Sequence, residues 1–165
     1  MHKFNSDSVE IAFDDAGQGE PILLIHGFAS NGRVNWVDPG WVKTLLAAGF
    51  RVITIDNRGH GESEKLYNPD LYSAPEMAED ARRLLDHLSI GRAHVLGYSM
   101  GARISAFLAI KHPSRVGAVI FGGLAPTHIN SLEPISILDR PMSFWKWGVE
   151  EEAMGSSKNL VGRAK

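Results

Sequence analysis

The sequence predicts a three-layer α/β domain, a mostly parallel sheet flanked by helices. Two observations carry that expectation. Short apolar runs alternate with amphipathic stretches from Val9 to Gly123. Several of those runs, such as Pro21-Ile22-Leu23-Leu24-Ile25, are apolar at nearly every position, the pattern of a strand covered on both faces. Strands that alternate with helices pair in parallel and take helices on either side.

Taken in order, Val9, Ile11 and Phe13 alternate with Glu10 and Ala12 and read as a strand with one buried face. The residues before Val9 could add a first strand. Asp14-Asp15-Ala16-Gly17-Gln18-Gly19 supplies a turn, and 21–25 the next strand. A helix is expected from about Trp41 to Ala48, stopped by Gly49, and a strand at 51–56. Ser73-Ala74-Pro75-Glu76 has the form of a capping box, with Ser73 accepting from first-turn amides and Glu76 reaching back. Met77, Ala81, Leu84, Leu85 and Leu88 then share a helical face. A strand at 93–96, a helix from Met100 to about Ile110 and a strand at 116–121 complete the alternation. Beyond Leu124 the rhythm fails. A soft boundary near Ala125 divides a partial core, 1–125, from 126–165, expected to be the start of a cap or a solvated tail.

Bulk composition narrows the chemistry. The chain has 165 residues, 44% of them hydrophobic and 22% charged, enough for one packed domain. With no cysteine, disulfides, thiolate catalysis and cysteine metal sites are excluded. A net charge of −2 without a basic cluster gives no reason to expect nucleic acid or anionic lipid. No apolar run is long enough to span a bilayer, and residues 1–7 do not resemble a secretory signal. The expectation is a cytoplasmic protein acting on something small.

Three motifs carry the chemistry. Gly97-Tyr98-Ser99-Met100-Gly101 matches G-x-S-x-G between an apolar strand and a helix, the context of a nucleophile elbow. Glycines at 97 and 101 suit a turn so sharp that a Cβ would clash. The hydroxyl of Ser99 then stands near a helix N-terminus, where negative charge is favoured. Ile25-His26-Gly27-Phe28 follows an apolar strand. Acyl transfer needs two amides already aimed at the developing oxyanion, and the amides of Phe28 and Met100 are the candidates. His26 is expected to brace this loop rather than act as a base. Asp56-Asn57-Arg58-Gly59-His60-Gly61-Glu62-Ser63 reads as a rigid polar turn shaping the pocket floor. A metal site built from Asp56, His60 and Glu62 lacks enough convergent ligands, so no metal is expected.

In this order the three motifs resemble the α/β-hydrolase family, and within it the carboxylesterase- and lactonase-like members related to the proline-iminopeptidase and haloperoxidase-like branch. The resemblance runs from about Val9 to Gly123. It implies an eight-stranded sheet with its first two strands antiparallel, of which about six are recognisable. It further implies Ser99 as nucleophile, an oxyanion hole from the Phe28 and Met100 amides, a small ester- or lactone-like substrate and no cofactor. Serine at the elbow argues against relatives whose nucleophile is a carboxylate.

Two departures follow from the same resemblance. The triad order in this fold is Ser, then Asp or Glu, then His, the acid following the seventh strand and the histidine the eighth. Neither strand is recognisable here. His112 precedes Pro113 at a helix end and is expected to cap it. A set of Ser99, His128 and Asp139, with Glu133 as the other acid, has no supporting motif. Without two strands, 116–121 would form an exposed sheet edge, inviting self-association. The competing reading is therefore an inactive binding module that keeps the elbow. A cofactor-free perhydrolase, suggested by Met100 after the serine, is a third.

Overall fold

The computed structural model describes residues 1–124, 145–148 and 160–164. Eight strands form one sheet: β1 (His2–Ser6), β2 (Val9–Ala16), β3 (Pro21–Ile25), β4 (Arg51–Ile55), β5 (Ala93–Tyr98), β6 (Val116–Gly122), β7 (Trp145–Gly148) and β8 (Leu160–Ala164). Their order is β1-β2-β4-β3-β5-β6-β8-β7. The central four, β4, β3, β5 and β6, run parallel, and β1 and β2 pair antiparallel beside them.

The apolar strands are explained by what covers each face. In β3, Leu23 and Ile25 point into a cluster with Ala78, Leu84 and Leu85 of α2 (Ala74–His87) and Ile104 and Leu108 of α3 (Met100–Lys111). Ile22 and Leu24 point the other way, into a smaller cluster with Trp36 and with Val42, Leu45 and Leu46 of α1 (Trp41–Ala47). Alternate residues of one strand thus feed two cores, and the three expected layers are present. Helix α3 sits beneath the sheet almost entirely buried. Its one small polar core residue, Ser105, satisfies its hydroxyl by donating to the Gly101 carbonyl one turn back, at 2.8 Å.

Two local readings are refined. Ser73 caps α2 through Glu76 N–H at 3.3 Å, but the Glu76 carboxylate does not reach back. It pairs instead with Arg83 at 3.4 Å and lies 3.6 Å from Arg58. His112 ends α3, yet its Nε2 pairs with Glu79 of α2 at 2.9 Å rather than with α3 carbonyls.

The sheet does not end at β6. Strand β8 pairs antiparallel along it, Phe121 opposite Leu160 and Ala118 opposite Arg163, and β7 pairs antiparallel with β8. Trp145 and Trp147, expected in a cap, lie in β7. The exposed edge expected at 116–121 is thereby covered, and the six recognisable strands are joined by an antiparallel pair. Among the described residues no helix is long and apolar enough to cross a membrane.

Candidate active site

All three motifs emerge at the carboxyl ends of the parallel strands. Ser99 lies between β5 and α3 with φ 53° and ψ −114°, a conformation a non-glycine residue holds only when its surroundings impose it. What imposes it is visible. Ser99 N–H donates to Gly122 O at 2.7 Å, while Ser99 O accepts from Ala102 N–H at 3.0 Å and Arg103 N–H at 3.2 Å. The bend also brings backbones too close for side chains. A Cβ at Gly97 would stand 2.3 Å from Gly101 O, and one at Gly101 would stand 2.0 Å from Ile25 O and 2.6 Å from His26 O. The result is an exposed serine on a tight bend at the head of α3. Tyr98, 48% exposed, rests its ring against Gly27, Gly122 and Gly123.

The 26–28 loop lies against this bend. A Cβ at Gly27 would meet the Ser99 Cβ at 3.4 Å. His26 is fully buried, and both its ring nitrogens are engaged. The Asn57 N–H donates to Nε2 at 2.9 Å, so the proton sits on Nδ1, which donates to Gly27 O at 2.7 Å. Burial pushes this imidazole down to about 4, against the Gly27 hydrogen bond that favours the charged form. Gly27 N–H donates to Asn35 Oδ1 at 3.1 Å, and Asn57 Nδ2 donates to His26 O at 3.2 Å. The amides of Phe28 and Met100 donate to no acceptor among the described residues. Phe28 itself is 76% exposed, its ring edge-on to His60 at 5.9 Å between centroids.

The 56–63 turn is a hydrogen-bonded block. Asp56 accepts from Gly32 N–H at 2.7 Å and Glu62 N–H at 2.9 Å, and a Cβ at Gly61 would collide with its carboxylate. Ser63 donates to Asp56 O at 2.6 Å and accepts from Ala12 N–H at 2.8 Å. Arg58 is 2% exposed and forks onto Asp80 of α2 at 2.7 and 2.8 Å, with a third bond to Leu71 O. His60 Nδ1 bonds to Arg58 O at 3.0 Å. Among the described residues no group of histidines and carboxylates is placed to hold a metal ion.

No described histidine hydrogen-bonds the Ser99 hydroxyl. His128, Glu133 and Asp139 lie outside the described residues. The sequence reading overlooked Asn35, Asn57 and Asp80. Asn57 stood inside a quoted motif, but Asn35 belongs to no motif and Asp80 acts on Arg58 from a separate element, α2.

A family model described as "alpha/beta hydrolase fold" matches residues 20–153. A Mycobacterium tuberculosis protein named as a non-heme bromoperoxidase is 38% identical over 112 residues, 68% of this chain and 41% of its own length. The non-heme chloroperoxidase CPO-A1 of Kitasatospora aureofaciens is 33% identical over 149 residues, 88% of this chain and 52% of its own. Among solved structures, Est816, described as an N-acyl homoserine lactone degrading enzyme, superposes with TM-score 0.66 at 35% identity. It covers 73% of this chain and 44% of its own. Epoxide hydrolase VrEH1 of Vigna radiata superposes with TM-score 0.68 at 21% identity, over 73% of this chain and 38% of its own, a likeness of fold alone. The chain thus spans about half the length, or less, of these relatives.

Proposed function

The chain belongs to the alpha/beta hydrolase fold family, and on that premise we propose that it is a serine hydrolase acting on carboxylic esters or lactones through an acyl-Ser99 intermediate. The observation that carries this reading is the bend at Ser99, an exposed hydroxyl held at positive φ between two glycines that admit no side chain. In the proposed step the Ser99 oxygen attacks the carbonyl carbon, its proton passes to a base and the carbonyl electrons move onto oxygen. The unpaired N–H groups of Phe28 and Met100 receive that oxyanion, helped by the positive end of α3. Collapse expels the alcohol, or opens the lactone ring, and water then releases the acid.

His26 does not supply the base, because Nε2 accepts from Asn57 and Nδ1 donates to Gly27. It braces the loop, and the base with its carboxylate comes from outside the described residues. Est816 is described as degrading N-acyl homoserine lactones, which supports a lactone or ester among the family's many chemistries. Serine rather than carboxylate at the elbow separates this chain from the chemistry of the epoxide hydrolases it matches in fold. Relatives named as haloperoxidases support a second fate for the same intermediate, attack by peroxide in place of water. The proposed substrate is a small ester- or lactone-like molecule, met in the cytoplasm with neither nucleic acid nor membrane as partner.

The absence of a histidine bonded to Ser99 among the described residues favours one other reading, a binding module that retains the elbow without turnover. Hydrolysis of p-nitrophenyl acetate and of a simple lactone by the purified protein and its Ser99→Ala variant separates the two. A serine hydrolase loses turnover in Ser99→Ala. Equal rates in both proteins contradict the proposal, and no turnover in either leaves the binding module.

A further inference from the structure

We propose that Asn35 and Asn57 are positioning residues that aim the Phe28 N–H at the oxyanion, an inference resting on the acyl-Ser99 reading. Two consecutive peptide units run from His26 to Phe28 and carry four hydrogen-bonding groups. Three of them are held by side chains. Asn57 Nδ2 donates to His26 O at 3.2 Å, Asn35 Oδ1 accepts from Gly27 N–H at 3.1 Å, and His26 Nδ1 donates to Gly27 O at 2.7 Å. The fourth, Phe28 N–H, has no acceptor among the described residues. It is singled out by elimination.

Its direction is set by the same contacts. In a trans peptide the C=O and N–H lie in one plane and point in opposite directions. Holding Gly27 O against His26 therefore fixes the way Phe28 N–H faces. That hold depends on Nδ1 carrying the proton, and the Asn57 N–H on Nε2 requires it. The preceding unit is clamped at both ends, by Asn57 on its carbonyl and Asn35 on its N–H. This matters because Gly27 has no Cβ to resist rotation of the two planes about it.

Asn35 is itself fixed. Its N–H donates to Asn31 O at 3.1 Å, and Asn31 Oδ1 accepts from Val34 N–H at 2.9 Å. It stands in a short turn (Arg33–Val37) whose neighbouring Val34 and Val37 are exposed. Removing its side-chain amide takes one acceptor from a surface turn and leaves both apolar clusters intact. An oxyanion donor, by contrast, is effective only within a few tenths of an ångström of its place, so rotation of the Gly27–Phe28 peptide is read out in chemistry before stability.

The two positions demand opposite chemistry, an acceptor at 35 and a donor at 57. The test measures the rate at which an alkyl fluorophosphonate labels Ser99, followed by intact mass, in the full chain and in Asn35→Leu, Asn35→Asp and Asn57→Asp. Asn35→Leu lowers the maximal labelling rate constant by about 10- to 100-fold, with the half-saturating probe concentration unchanged. Asn35→Asp, which still accepts from Gly27 N–H, recovers most of the rate. Asn57→Asp, which can no longer donate to His26 O, does not. Asn35→Leu also leaves the buried Gly27 N–H without an acceptor and lowers the thermal midpoint, so labelling is measured well below the midpoint of each variant. Labelling of Asn35→Leu at the wild-type rate overturns the proposal, as does an Asn35→Asp rate no higher than that of Asn35→Leu. In either case labelled wild-type protein leaves the acyl-Ser99 reading standing. An unlabelled wild-type chain removes that reading and the positioning role with it.

Discussion

Replacing Gly101 by alanine sets two local rules against each other. Gly101 lies in the first turn of α3, and in a helix alanine is favoured over glycine by about 1 kcal/mol. On propensity alone the variant is more stable. The packing says otherwise. The new Cβ would stand 2.0 Å from Ile25 O and 2.6 Å from His26 O, where ordinary contact begins at 3.4 Å. Both obstacles are backbone atoms at the end of β3, and neither can swing aside. Relief requires α3 to lift from the sheet by about an ångström, loosening Ala102, Ile104 and Ser105, all buried against it. Overpacking a tight interior costs about 1–3 kcal/mol and more where backbone must move, so the clash outweighs the propensity gain. The expected net loss is about 1–2 kcal/mol. Urea unfolding followed by far-ultraviolet circular dichroism measures it as a lower midpoint at unchanged slope. A Gly101→Ala protein as stable as the wild type, or more so, would show that the elbow is not packed as described.

The Arg58–Asp80 pair and two titrations give further tests. Both side chains are 2% exposed, so Asp80→Ala leaves a buried guanidinium without its forked partner and costs about 3–5 kcal/mol. Arg58→Met combined with Asp80→Leu recovers much of that loss in chemical unfolding, and a double variant no better than Asp80→Ala contradicts the account. Burial holds the His26 imidazole at about 4, below its ordinary 6.5. The unfolded chain therefore binds the proton first, and stability that is complete above pH 6.5 declines towards pH 4 by about 3 kcal/mol. Urea midpoints across that range measure the slope, which is shallower in His26→Asn. Burial alone would raise the Glu79 carboxyl, but hydrogen bonds from Lys111, Arg82 and His112 outweigh it and bring it down to about 2. Its contribution is complete above about pH 4.5 and is lost as pH falls towards 2. Glu79→Gln flattens that acid limb, and an unchanged limb refutes the assignment.

Much of the fold was legible because it depends on local pattern. The run Ile22-Leu23-Leu24-Ile25 has no polar face, and only a strand between two helical layers buries it whole. The elbow was legible for the same reason, since Gly97, Ser99 and Gly101 are close in sequence and their spacing encodes the bend. What the pattern could not supply is contact between residues that no short motif or period links. Asn35 reaches Gly27 through a turn whose form is set by Asn31, and Asp80 reaches Arg58 of the 56–63 turn from α2. No periodicity announces such pairs. The Ser73 capping box formed only in part because Arg83, two turns further along α2, and Arg58, brought close by tertiary folding, offer Glu76 stronger partners than a backbone amide. Strand β7 is four residues long, too short for its Trp-Lys-Trp alternation to stand out.

Every proposed step requires Ser99 to be a nucleophile rather than a serine in a turn. The most direct test of that role is the intact mass of the purified chain after incubation with a fluorophosphonate, followed by peptide mapping. A single phosphonyl adduct is expected, on the peptide containing Ser99, absent from heat-unfolded protein and from Ser99→Ala. An adduct on another residue, or one that persists in Ser99→Ala, contradicts that role.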